Sequence, residues 1–191
     1  GKLILTEVIQ RPYSYLVPAY LFPTVVSVID LNGKMVKEIT RIPLLDYIPT
    51  GNNATQREPR NHAWRADKPA TLVWAHAQDG GDPKVKAEIR DKVFTWDFPF
   101  TTQAKEFASM PLRFSRITWG NDNFAWVYER WVNDRKERIY QVNPATGQKK
   151  TVFDRNYEDG YNDPGNVITT INSYGRNVML INEDNSVFLS G

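Results

Sequence analysis

The pattern Trp-x-x-Asp closes two separate strand-like windows of this chain, at Trp64-Arg65-Ala66-Asp67 and at Trp119-Gly120-Asn121-Asp122. Each is followed by a second strand pattern that carries another tryptophan, Trp74 and Trp126. A second landmark recurs beside it, a turn that joins the last two strands of a unit. It stands at Val28-Ile29-Asp30-Leu31-Asn32-Gly33-Lys34, at Trp96-Asp97-Phe98-Pro99-Phe100 and at Gln141-Val142-Asn143-Pro144-Ala145-Thr146-Gly147-Gln148. Asn-Gly between two strand patterns is a strong hairpin signal, because both residues tolerate positive φ.

The windows between these landmarks alternate polar and apolar residues or are rich in β-branched ones, and no long helical period appears. Strands are expected at Leu3–Ile9, Val25–Leu31 and Lys34–Ile39, followed by a Pro-rich connection over Arg41–Arg60. Four more fall at His62–Trp64, Thr71–Ala77, Lys92–Asp97 and Ala104–Ala108. The order repeats at Ser115–Trp119, Phe124–Arg130, Glu137–Val142 and Lys149–Phe153. It restarts at Val167–Ile171, Asn177–Ile181 and Ser186–Leu189.

A four-stranded antiparallel unit recurring about every 45–55 residues is the signature of a β-propeller blade. The expected fold is therefore all-β, a partial β-propeller with about two whole blades and a part-blade on either side. Residues 1–58 form the end of a preceding blade and a linker, 59–110 and 111–163 two blades, and 164–191 the start of another, all in one propeller domain. A generic β-sandwich is the rival, but it does not call for the same strand and turn order twice. Each blade is too thin to bury both faces alone, and stacking explains the aromatic content of 13% with six tryptophans. The Asp after each opening Trp is expected to end the turn by accepting backbone amides.

The chain has 41% apolar residues, enough for a real core over 191 residues. The net charge of +2 gives no basic excess for nucleic acid. The absence of cysteine excludes disulfides and any Cys-based nucleophile or metal site. No apolar run approaches the roughly 18 residues of a membrane span. The Gly1-Lys2 start is expected to be an internal boundary of a longer protein.

Catalytic signals are missing. No Gly-x-Ser-x-Gly elbow is present to raise a serine on a strained turn, and Ser14, Ser115 and Ser173 lack that context. His62 and His76 lie in strand patterns beside tryptophans and read as packed side chains. Without His-x-x-x-His or Cys no zinc site is expected. The carboxylates Asp79 and Asp82, Glu158, Asp159 and Asp163, and Glu183 and Asp184 read as solvated turns; the segment Asp159–Asp163 lacks calcium-loop spacing. Asn53-Ala54-Thr55 is formally a glycosylation sequon. The basic run Arg130, Arg135, Lys136 and Arg138 is interleaved with Glu129, Asp134 and Glu137 and reads as a solvated hairpin tip.

Several segments together resemble a known family. They are Pro12-Tyr13-Ser14-Tyr15-Leu16-Val17-Pro18 with Phe22-Pro23 and Val25–Asp30, Pro43-Leu44, the run Pro59–Leu72 around Trp64, and Gln78-Asp79-Gly80-Gly81-Asp82-Pro83 with Arg90-Asp91. Together they look like the N-terminal propeller of prolyl oligopeptidase-type serine peptidases, glutamyl-endopeptidase-like branch. The likeness is best between Pro12 and Phe98 and weakens after Asp154.

That resemblance implies a parent protein that cleaves peptides, possibly after Glu. It implies a C-terminal α/β-hydrolase domain as partner, a peptide substrate and a bacterial periplasmic or secreted location. The propeller itself would be non-catalytic, limiting access to and shaping the active-site cavity. No triad residue, cofactor or metal carries over to this chain, and its substrate-binding residues are unknown. A cationic side chain suits a Glu side chain, which nominates Arg60 and Arg65. The alternative is a free-standing propeller that binds proteins or glycans. Neither reading calls for nucleic acid or membrane, and open blade faces are expected to make the fragment self-associate.

Overall fold

The computed structural model describes residues 1–191 and is all-β, its one helical element a single 3-10 turn at Ala19–Leu21. The first sheet is three-stranded and antiparallel, with β1 (Leu3–Ile9), β2 (Thr24–Asp30) and β3 (Met35–Ile42) in sequence order. The second holds β4 (Arg60–Trp64), β5 (Thr71–Ala77), β6 (Asp91–Asp97) and β7 (Lys105–Met110), and the third β8 (Arg113–Asn121), β9 (Phe124–Trp131), β10 (Lys136–Val142) and β11 (Lys149–Asn156). Both are four-stranded antiparallel meanders in the repeated order that the sequence predicts.

The end of the chain differs from expectation. The window Val167–Ile171 is not one strand. Instead β12 (Asn166–Val167) pairs with β15 (Leu189–Ser190), while β13 (Thr169–Ile171) pairs with β14 (Asn177–Met179). The chain switches partner at Ile168, whose N–H bonds Phe188 and whose carbonyl accepts from Leu180.

The sheets bury one another in chain order. Val28 of the first sheet packs with Leu72 and Phe100 of the second, flanked by Trp64, Trp74 and Trp96. The other face of the second sheet gives Val73, Val93, Phe107 and Met110 to a core shared with Trp119, Val127 and Tyr140 of the third. The far face of the third, with Trp126, Tyr128 and Ile139, is covered by Val167 and Met179. Period-2 alternation makes this serial stacking possible, because each strand presents one row of apolar side chains to each neighbour. Gly120 allows a close approach of the final strands to the third sheet, since a Cβ there would lie 2.5 Å from Ile181 Cδ1 and 2.7 Å from the Phe124 carbonyl oxygen.

The tryptophan turns work differently from expectation. Asp67 takes two guanidinium N–H groups from Arg65, at 2.9 and 2.6 Å, in place of backbone amides. Asp122, its counterpart in the next sheet, lies 2.5 Å from Lys68 Nζ and 3.6 Å from Arg65. The turn between β13 and β14 joins them, with Arg176 donating to the carbonyls of Arg65 and Lys68 at 2.9 and 2.8 Å and Asn172 to that of Ala66 at 2.9 Å. Equivalent turns of three successive units thus meet at one end of the stack.

Two solvated-turn readings are corrected. Asp79 is buried beneath Arg90 and Arg113, and Glu129 and Glu137 of the supposed hairpin tip are buried as well. Glu129 accepts from Leu112 N, from Tyr140 Oη at 2.8 Å and from Arg138. By contrast Glu158, Asp163, Glu183 and Asp184 are exposed.

Candidate functional site

The long polar connection after β3 returns to the sheets at Arg60, where β4 does not run straight. Its pairing with β5 slips between Arg60 and Ala63, and Asn61 adopts a φ of 58°. Asparagine tolerates this left-handed conformation better than most residues. In a regular strand three successive side chains cannot share a face. The bulge lets Arg60, Asn61 and His62 all line one cavity of about 350 Å³ between the first sheet and β4. Glu7 of β1, Thr24 of β2 and Gln56 of the connection close its other sides, with Tyr20 and Phe22 at its apolar end.

Arg60 is held rather than free. Its Nη2 donates to Asp91, whose carboxylate is fully buried, while the arginine side chain is 11% exposed. Asp91 also accepts from Phe114 N at 2.7 Å and from Arg113 at 3.3 Å. The other terminal nitrogen, Arg60 Nη1, is shut off from solvent and has no partner. His62 Nε2 is in the same condition. A buried polar group left without a partner costs about 1–3 kcal/mol, and Arg60 and His62 each carry one. Burial pushes the His62 imidazole down to about 4, which leaves it neutral at neutral pH.

His62 also borders a second cavity of about 320 Å³, lined by Trp74, Trp96 and Ile39. The imidazole stacks on Trp74, with ring centroids 6.1 Å apart, and Trp74 stacks in turn on Phe94 at 5.9 Å. One histidine therefore divides a polar chamber from an aromatic one.

The other nominated residues lie elsewhere. Arg65 is buried, bonded to Asp67 and stacked over Trp119 at 4.4 Å. His76 sits on β5 against Phe94. Ser14 Oγ accepts from Leu16 N in an exposed turn. The sequon side chain is engaged: Asn53 Oδ1 accepts from Val132 N at 2.8 Å, and its Nδ2, the atom a glycan would need, is shut off from solvent.

Sequence reasoning missed the ionic seam that supports the site. Asp79, Arg90, Asp91 and Arg113 form a continuous buried set between the second and third sheets. Burial raises the Asp79 carboxyl, but the hydrogen bond and charge of Arg113 and the hydrogen bond of Arg90 outweigh it and hold it below its usual range. One signal was available, since Asp91 shares the inward parity of Val93 on β6.

No protein-family model matches the chain, and neither does any solved structure. Two plant proteins do. The probable glutamyl endopeptidase, chloroplastic, of Arabidopsis thaliana is 37% identical over 171 residues, 87% of this chain. Its namesake in Oryza sativa subsp. japonica is 36% identical over 168 residues, 86% of the chain. The chain is thus related over most of its length to proteins named as peptidases. It spans 18% of the length of each.

Proposed function

We propose that this chain is a non-catalytic propeller segment of a serine peptidase of the prolyl oligopeptidase type, glutamyl-endopeptidase-like branch. In this reading the parent carries an α/β-hydrolase domain C-terminal to the propeller, and the propeller limits access to the cavity where peptides are cut. The observation that carries it is the 37% identity across 87% of the chain to a protein named a glutamyl endopeptidase. Two structural features support it. The sheets stack face to face in chain order, and the equivalent turns at Arg65, Asp122 and Arg176 converge as they would near the axis of a propeller.

The test is a fluorophosphonate probe applied to the full-length parent and to the 191-residue chain. Labelling of the parent at a Gly-x-Ser-x-Gly serine, with none of the chain, is expected. A parent that takes no label, or whose reading frame encodes further blades and no hydrolase domain, overturns the reading.

A further inference from the structure

We propose that the free edge of β1 seats a fourth strand, supplied by the residues that precede Gly1 in the parent protein, and that the turn closing this strand fills the cavity beside Lys2. Strand equivalence places it there. In the second and third sheets the turns at Asp97–Phe100 and Asn143–Gln148 join the third and fourth strands. The like turn at Asp30–Lys34 joins the second and third strands of the first sheet. β1 is therefore the counterpart of β5 and β9. The registers agree, since Leu3 lies opposite Asp30 as Thr71 lies opposite Asp97. β5 and β9 each pair on their other side with an inner strand, β4 or β8, whereas β1 ends its sheet. Trp64 closes β4 opposite Leu72, the residue after Thr71. The fourth strand accordingly ends opposite Ile4, which is 43% exposed. A strand edge with free N–H and C=O groups is a template for such pairing.

The cavity is a second, independent observation. It measures about 510 Å³ and lies between Gly1 and Lys2, Trp64 and Phe98, and Tyr174 and Arg176. The turns at Arg65, Asp122 and Arg176 meet at this end of the stack, and a turn leading into Leu3 takes the corresponding place for the first sheet. Phe98 and Tyr174 are each 49% exposed, and covering them removes apolar surface from water. Charge narrows the occupant further. Lys2 and Arg176 are the charged side chains of the lining, and no carboxylate accompanies them. The equivalent turns carry Asp67 and Asp122 beside Arg65 and Lys68. An entering turn with an acidic residue near Lys2 fits the same pattern.

The proposal rests on the four-stranded repeat of the reading above and not on peptidase activity, so a parent that takes no fluorophosphonate label leaves it standing. The chain has no cysteine, which lets single thiols report on the cavity. Ser173→Cys and Tyr174→Cys are compared in the 191-residue chain and in a chain extended by about 20 preceding residues of the parent's reading frame, enough for a strand and a turn. Maleimide labelling in dilute solution is expected to slow at least tenfold in the extended chain at both positions. It is expected to stay unchanged at Tyr161→Cys, a fully exposed control. Hydrogen exchange of the β1 amides that do not bond β2 is expected to slow by the same factor. If the extended chain does not fold, the same residues added as a peptide to the 191-residue chain decide, with the same readouts. Equal labelling at Ser173→Cys and Tyr174→Cys, or β1 amides that stay unprotected, overturns the proposal. So does a β1 edge protected by dimerisation that the extension does not abolish, which gives the edge to a second copy of the chain.

Discussion

Arg113 Nη2 lies 2.8 Å from Asp79 Oδ2, tying the strand that opens the third sheet to the loop that leaves β5. The same guanidinium reaches Asp91 Oδ1 at 3.3 Å and, through Nε, the Asn53 carbonyl at 2.7 Å. Both carboxylates are fully buried. Removing the arginine leaves Asp79 with Arg90 and Asp91 with Arg60 as their remaining guanidinium partners, and losing one partner from a buried ionic set costs up to about 3–5 kcal/mol. Urea unfolding of Arg113→Ala is expected to show a loss of that size, and a loss under about 1 kcal/mol contradicts the seam's structural role.

His62 makes stability depend on pH. Its imidazole titrates at about 4 when folded and near 6.5 when unfolded. Between those values the unfolded chain binds a proton that the folded chain does not, so stability rises with pH across the window. The contribution is whole above the unfolded value and is lost as pH falls towards 4. Denaturant midpoints at pH 4.5 and 7.5 are expected to differ less in His62→Phe than in the parent sequence. Asp79 acts lower: its depressed carboxyl favours folding above its unfolded value and loses that effect as pH falls through the folded one.

Gly81 has a φ of 79°, and a Cβ there would lie 2.0 Å from the Thr55 carbonyl oxygen. Thr55 N donates to the Gly81 carbonyl at 3.0 Å, so the loop after β5 and the connection before β4 touch backbone to backbone. Gly81→Ala is expected to cost about 2 kcal/mol or more, because strain and displacement add. Thermal unfolding measures it, and a neutral result excludes the close approach.

Trp119 packs on Phe107 with centroids 4.9 Å apart while Arg65 covers its other side. Trp119→Ala is expected to cost about 3–5 kcal/mol. Trp131, which carries the Arg90 guanidinium at 4.2 Å but lies outside the apolar clusters, is expected to cost less on the same change. Equal losses in a denaturant series disprove the stacking hierarchy.

Open surfaces remain on the first sheet and the final strands. Ile4, Val8 and Ile9 of β1 are exposed beside its unpaired edge, and Ile171 and Phe188 are exposed at the other end. Unpaired edges with apolar neighbours recruit like edges. Sedimentation of the chain is expected to show concentration-dependent dimers, and a single monomeric species at high concentration refutes this.

The strand order was largely legible because alternation is a local property. Thr71–Ala77 and Leu3–Ile9 match their windows to the residue, and the Asn32-Gly33 turn falls between β2 and β3. The split at Ile168 was not legible, since a five-residue β-branched window cannot show that its ends pair with different strands. Arg60 was nominated for its charge alone. Its buried bond to Asp91, its unpartnered Nη1 and its place with His62 in one cavity lining depend on a bulge that no local pattern announces.

By itself the sequence determined the strands, the turns and the repetition of a four-stranded unit, because each follows from side-chain parity and backbone preference over a few residues. Which charges went inside was decided only by the tertiary structure. Asp79, Asp91 and Arg113 are 12 to 34 positions apart and acquire a partner only when two sheets close over them. A lone buried charge is prohibitive and a matched one is tolerated, so the stacking of sheets settles their burial and, with it, the shape of the cavity beside Arg60.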